Sequence, residues 1–114
     1  MMAGKYNFFM DQGATWNNQI TWNISGSPVN LTGYTARMQA RENIDSTPLF
    51  SWTSTGGQLV LGGAAGTITL NISAATTAGY SDGLYLYDLE LESGSGVVTR
   101  LLEGNFTINA EVTR

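Results

Sequence analysis

The fold class of this chain is decided by one stretch of its sequence, Leu84-Tyr85-Leu86-Tyr87-Asp88-Leu89-Glu90-Leu91-Glu92. From Tyr87 onward apolar residues alternate with carboxylates, and this period of two predicts a β-strand with one buried and one solvated face. The same alternation recurs in four other stretches, which begin at Trp16, Tyr34, Thr67 and Phe106. These repeated strand signals predict an all-β protein.

Weaker strand signals and turns fill the intervals between these stretches. Short strands are predicted at Tyr6–Met10, Leu49–Thr53, Gln58–Leu61 and Val97–Glu103, the last as hairpin partner of the Leu84 strand. Ser73–Gly79 begins with a capping residue and ends in glycine, which predicts one short helical turn. Turns every 8–12 residues suggest a sandwich or barrel, and the length fits a single domain over residues 1–114.

Composition excludes several classes of function. The chain has 114 residues, a net charge of −4 and only 12% charged residues, so it lacks the basic surface that nucleic-acid binding requires. No apolar run approaches the roughly 20 residues of a membrane helix, and we expect no membrane partner. Without cysteine, disulfides and thiolate metal sites are absent, and a reducing cytoplasm is the expected place of synthesis.

No arrangement of residues satisfies the needs of catalysis. The sequence has no histidine, so only a carboxylate or Lys5 could activate its many serines and threonines. The run Gly62–Gly66 lacks the lysine and the helix of a phosphate loop, and it is interpreted as a tight turn. We predict no catalytic residue, no cofactor, no metal and no small-molecule substrate, hence a protein that is not an enzyme.

Three carboxylates, Asp88, Glu90 and Glu92, fall on one face of one predicted strand. Such a row could bind a hard cation such as Ca²⁺, or form an acid/base pair. Alternation alone also explains the spacing, and a solvated strand face is the favoured interpretation. Arg100 on the neighbouring strand could pair with one of the three.

The chain is rich in aromatic residues, which have two possible roles. Most are in phase with the apolar positions of their strands and are predicted to fill the core. Trp52 and Tyr80 lie outside the cleanest patterns, and they are the candidates for a ligand platform on which a sugar ring could stack.

A surplus of apolar residues gives the better functional signal. Leu84 and Leu86 are out of phase with Tyr85 and Tyr87, and Phe9 is out of phase with its neighbours. Either Phe9, Leu84 and Leu86 form an exposed subunit interface, or these strands are central and covered on both faces.

The order of the segments carries a resemblance to a known family. Gly26-Ser27-Pro28-Val29-Asn30-Leu31-Thr32-Gly33-Tyr34 precedes the alternating strand Ala36–Arg41, and Ile68–Ser73, Gly83–Leu91 and Gly104–Ile108 follow. This layout resembles the N-terminal β-sandwich domain of baseplate upper proteins in tailed bacteriophages, and related small stand-alone phage virion proteins. The resemblance extends over nearly the whole chain.

The resemblance implies an immunoglobulin-like antiparallel β-sandwich of about 7–9 strands with one short helical turn. It implies a virion structural protein, assembled in the host cytoplasm, that acts as a baseplate or tail-fibre adaptor or wedge. Its partners would be other virion proteins and further copies of itself. The alternatives are a capsid decoration protein and, from another class, a carbohydrate-binding module that uses Trp52 and Tyr80.

Overall fold

The computed structural model describes residues 4–112 as an all-β fold with one short helix. Its strands are β1 (Gly4–Lys5), β2 (Phe8–Asp11), β3 (Trp16–Thr21), β4 (Asn23–Ile24), β5 (Ser27–Pro28), β6 (Thr35–Arg41), β7 (Phe50–Thr53), β8 (Leu59–Leu61), β9 (Thr67–Ile72), β10 (Gly83–Glu92) and β11 (Val98–Asn109). A 3-10 turn at Gly63–Ala65 precedes β9, and the helix α1 (Ala74–Ala78) follows it. Three of the strands, β1, β4 and β5, have only two residues each, and the eight longer ones agree with the predicted 7–9 strands. The predicted fold class is confirmed.

The strands form two sheets and a separate hairpin. The large sheet has the order β1-β11-β10-β6-β7, with β2 also paired to β11, and the small sheet has the order β3-β9-β8. Pairing is antiparallel except where β1 and β2 run parallel to β11. Strands β6, β10 and β11 in one sheet and β3, β9 and β8 in the other correspond to C, F, G and B, E, D of an immunoglobulin-like sandwich.

An aromatic core fills the space between the two sheets. The rings of Phe50 and Trp52 are stacked, with centroids 3.6 Å apart, and the Phe106 ring lies 5.3 Å from Trp16 across the sandwich. Phe8, on β2, contacts both Trp16 and Phe106. Aromatic pairs of this kind contribute roughly 0.5–1.5 kcal/mol beyond the area they bury.

A tyrosine hydrogen bond fixes the entry into β10. The Tyr85 hydroxyl donates to the Ser81 carbonyl at 2.8 Å, which is the tyrosine corner of immunoglobulin-like domains. Tyr87 follows two residues later, where antibody domains place the second disulfide cysteine. Its ring packs 5.1 Å from Phe8 and its hydroxyl donates to the Tyr6 carbonyl, so aromatic packing occupies the disulfide position.

Strand β11 corrects the predicted boundaries. The sequence predicts one strand at Val97–Glu103 and another from Phe106, yet the structure has a single strand from Val98 to Asn109. A register shift after Leu89 leaves an extra residue in β11 and breaks the alternation there. Gly104 lies within the strand, at a position where a Cβ would overlap the Tyr6 carbonyl. This glycine therefore allows the Tyr6 backbone to approach β11 closely and does not form a turn.

The predicted helical turn is confirmed, with a buried threonine at its centre. The Ser73 side chain caps α1 by accepting from the Thr76 amide, and the Gly79 amide closes the other end. The Thr77 hydroxyl donates to the Ala14 carbonyl at 2.8 Å and accepts from the Gly13 amide at 3.0 Å. The turn therefore connects the small sheet to the loop before β3.

The tyrosine corner yields a stability prediction. Tyr85→Phe removes the hydroxyl and keeps the ring, so the free energy of unfolding should fall by about 1 kcal/mol, the usual net contribution of one hydrogen bond. Chemical denaturation followed by tryptophan fluorescence measures the change. Tyr34→Phe is the matched control, because the Tyr34 hydroxyl makes no hydrogen bond within residues 4–112. Equal losses in the two variants would contradict a role for the corner.

Candidate functional site

Three exposed apolar side chains lie on the outer face of the large sheet, which is the outward side of β2, β6, β7, β10 and β11. Phe9, Leu84 and Leu86 are 64%, 63% and 47% exposed. Thr107 lies between Phe9 and Leu84 in the strand register, and Leu86 occupies the next outward position of β10. These three residues are the candidate subunit interface of the sequence analysis, and they form an apolar patch. Within the described chain β10 is therefore not covered on both faces.

A network of ion pairs occupies the centre of the same face. The Arg37 guanidinium donates to Glu90 at 2.9 Å and to Glu92 at 3.1 Å, across the β6–β10 pairing. These hydrogen bonds raise the pKa of Arg37. The alternation of β10 places all its carboxylates outward, so the row is an ion-paired, solvated strand face.

Arg100 extends this network toward β1. Its guanidinium lies 3.5 Å from Asp88, 3.6 Å from Glu103 and 4.0 Å from Glu90, and Lys5 contacts Glu103. Burial, and then the nearby charge of Glu90, raises the pKa of Asp88, whereas the hydrogen bond from Lys5 lowers that of Glu103. The sequence indicated a partner for Arg100 but missed Arg37 and Lys5, whose partners are set by strand order.

The network adjoins a shallow open depression of about 680 Å³ beside the patch. Leu86 and the exposed Ile44 line it, together with Arg41 and Asn105, which are the cross-strand neighbours of Leu86. Within residues 4–112 no cluster of acidic residues has the arrangement of a metal site. In the same range no helix is long and apolar enough to cross a membrane.

The predicted ligand platform is wrong. Trp52 is only 2% exposed, and its indole nitrogen donates to the Tyr80 hydroxyl at 2.9 Å. Burial raises the pKa of Tyr80, whose ring packs against Phe50. Both side chains lay outside the clear alternation of the sequence, because β7 has only four residues and Tyr80 follows α1. In the structure Trp52 is buried between the sheets and the Tyr80 ring is partly buried against the core, so the two form no exposed platform for a sugar.

Comparison with known proteins found matches among solved structures but not among protein families or curated proteins. No family model matches, and no curated protein matches. The extracellular domains of the voltage-gated sodium channel beta4 subunit, described as parallel homodimers with a role in cell-cell adhesion, match over 98% of this chain and 97% of theirs, with 9% identity and a TM-score of 0.42. Extracellular domains 3–5 of Drosophila OTK match over 90% of this chain and 32% of theirs, with 14% identity and a TM-score of 0.38.

These comparisons correct the predicted function. The two structures described above are extracellular domains and not phage proteins, and the prediction of a tailed-phage virion structural protein is not upheld. This correction includes its capsid-decoration alternative, while the buried Trp52 removes the carbohydrate-binding one. The resemblance to the baseplate domain stays a prediction, because neither family models nor curated proteins match the chain.

The ion-pair network yields a prediction of pH dependence. A raised pKa means that the folded state disfavours the charged form of Asp88. Asp88→Asn should therefore raise the free energy of unfolding at pH 7, where the wild-type carboxyl is ionised. The gain should disappear as the pH falls through the raised pKa of Asp88, because the carboxyl then becomes neutral in the wild type too. Denaturant titrations between pH 3 and pH 7 measure this difference.

Glu103→Gln provides the matched comparison, with the opposite sign. The pKa of Glu103 is lowered, so its ionised form stabilises the fold at pH 7 and this variant should be less stable there. That loss should shrink as the pH falls through the lowered pKa. If both variants shift stability in the same direction at pH 7, the assignment of opposite roles to the two carboxylates is wrong.

Proposed function

We propose that this chain is a non-catalytic protein-interaction domain that associates with a second copy through the outer face of its large sheet. The observation that carries the proposal is the apolar patch of Phe9, Leu84 and Leu86, three large side chains grouped around Thr107 on one sheet face that are about half exposed or more. Adjacent exposed apolar groups are typical of contact surfaces rather than of solvated ones. Burying a fully exposed side chain of this kind contributes about 1.5–3 kcal/mol, and covering the exposed part of each contributes roughly half of that.

The charges beside the patch favour a second copy as the partner. Four cations lie on the outer face or at its β1 edge, namely Lys5, Arg37, Arg41 and Arg100. Five carboxylates accompany them, namely Asp11, Asp88, Glu90, Glu92 and Glu103. The net charge of this face is thus −1, although the whole chain carries −4. Two copies can meet here with little net repulsion, and the mixture of signs lets each network face its counterpart.

The residue inventory supports a binding role over a catalytic one. The chain has no histidine or cysteine, and four carboxylates of the outer face are engaged with Arg37 or Arg100. The depression beside Leu86 is open and lined by charges of both signs, which suits contact with a protein surface. A polar periphery around a small apolar centre is the usual anatomy of a protein–protein interface.

The proposal predicts the effect of a double substitution. Leu84→Glu with Leu86→Glu should weaken association at least roughly tenfold, since the exposed parts of the two leucines together contribute about 1.5–3 kcal/mol and each 1.4 kcal/mol is a factor of ten. Sedimentation velocity over a concentration series measures the weight-average mass. The fold should persist, because both side chains are already in solvent.

Val60→Glu with Val97→Glu is the control. These valines are as exposed as the leucines and receive the same two charges, but they lie outside the outer face. The control should associate like the wild type. A wild type that stays monomeric at every concentration, or a control that dissociates equally, would overturn the proposal.

A further inference from the structure

The small sheet has an unprotected edge at β3. Among the described residues β3 pairs with β9 on one side and with no strand on the other. Strands β1 and β2, which precede it in sequence, both pair with β11 in the large sheet. The edge of β3 is therefore open along all six of its residues.

The hydrogen bonds of β9 show which groups of β3 face this opening. In an antiparallel pair, hydrogen-bonded residues alternate with non-bonded ones along the strand. The Trp22 amide donates to the Gly66 carbonyl at 2.8 Å, one step beyond the β3–β9 pairing. By alternation Ile20, Asn18 and Trp16 also direct their backbone groups at β9.

The intervening residues of β3 direct their backbone groups outward. Their partners on β9 bond to the other side: the Asn71 amide donates to the Gln58 carbonyl, and the Thr67 carbonyl accepts from the Gly62 amide. The amides and carbonyls of Asn17, Gln19 and Thr21 accordingly point at the open edge. Three donor–acceptor sets at a spacing of two residues are what an added strand requires.

Nothing in the sequence of β3 blocks such an addition. Natural edge strands are usually blunted by charged residues, proline, a bulge or short length. β3 reads Trp-Asn-Asn-Gln-Ile-Thr, and its register with β9 is unbroken over six pairs. The other edge strands are shorter, with four residues in β2 and β7 and three in β8. β3 is the edge best suited to pairing.

We infer that β3 pairs antiparallel with β3 of a second copy, across a two-fold axis at Gln19. This register brings Gln19 opposite Gln19 and Asn17 opposite Thr21, and it engages all the outward-facing backbone groups. Any other two-fold register leaves some of them unpaired. The facing side chains are uncharged, so a second copy brings no like charges together, which would destabilise cross-strand pairs.

The pairing is separate from the proposed contact through the outer face. It joins two small sheets into one continuous sheet and leaves Phe9, Leu84 and Leu86 uncovered, because they belong to the large sheet. A chain with two different two-fold contacts can form assemblies larger than a dimer. The proposed contact at the β3 edge therefore does not depend on the proposed contact through the outer face.

Disulfide trapping tests the edge pairing and its register. The chain has no cysteine, so Gln19→Cys introduces a single thiol. Facing residues of a hydrogen-bonded antiparallel pair have Cα atoms about 5.5 Å apart, within disulfide range. Gln19→Cys should form a covalent dimer under mild oxidation, measured by non-reducing electrophoresis and intact mass. Gln19 is exposed on the sheet surface, so the fold should tolerate the change.

Asn17→Cys is the matched control, equally exposed on the same edge. Its thiol would face Thr21 of the second copy, and the two Asn17 positions would lie about 13 Å apart, four residues along the strand. Asn17→Cys alone should cross-link at least roughly tenfold more slowly than Gln19→Cys, whose paired thiols have millimolar effective concentration. Mixed with Thr21→Cys, it should cross-link readily. Equal rates for Gln19→Cys and Asn17→Cys would overturn the inference.

The same trap separates this inference from the proposed function. Gln19→Cys is placed in the Leu84→Glu, Leu86→Glu background, which removes the outer-face contact. Cross-linking that persists there supports an independent edge contact, whatever the result for the outer face. Cross-linking that disappears there would mean that the edge does not pair by itself, and would overturn the inference.

Discussion

Aromatic packing around Phe106 is the interaction on which the rest of this structure depends. The chain has no cysteine, so no disulfide joins its two sheets. Phe106 lies within 6.1 Å, between ring centroids, of five aromatic rings that come from four other strands, namely Phe8, Trp16, Phe50, Trp52 and Tyr87. These rings pack between the two sheets and set the distance between them. The positions that alternate with the inward rings along each strand therefore face outward.

The core explains why the outer face could form. The hydroxyl hydrogen bonds of Tyr85 and Tyr87 hold both side chains on the inner face of β10. Because successive side chains of a strand point to opposite faces, Leu84 and Leu86 point outward. By the same alternation Asp88, Glu90 and Glu92 point outward, and there they form ion pairs with Arg37 and Arg100. Exposed ion pairs contribute little stability, so the network matters more for keeping this face nearly neutral and ordered than for holding the fold.

Local patterns in the sequence predicted the faces of the strands but not their neighbours. Alternation is a property of adjacent residues, so the outward positions of the β10 carboxylates and of Leu84 and Leu86 could be derived from it, whereas the exposure of the two leucines was left open. The partners of Arg37 depend on β6 lying beside β10, which no spacing encodes. The unbroken β11 was missed for a related reason, since the bulge after Leu89 shifts the phase and Gly104 resembles a turn residue.

The distribution of charge also bears on the open edge of β3. The large sheet carries its ion pairs outward, whereas the outward residues of β3 and β9 are asparagine, glutamine and threonine. A protein that had to keep β3 unpaired could do so with one lysine or one bulge, the common protections of edge strands. The charged residues of the strands lie in the large sheet, and none lies on β3, β8 or β9. Such selective absence is expected if the edge has a partner, because a charge there would weaken the pairing that the free backbone groups make possible.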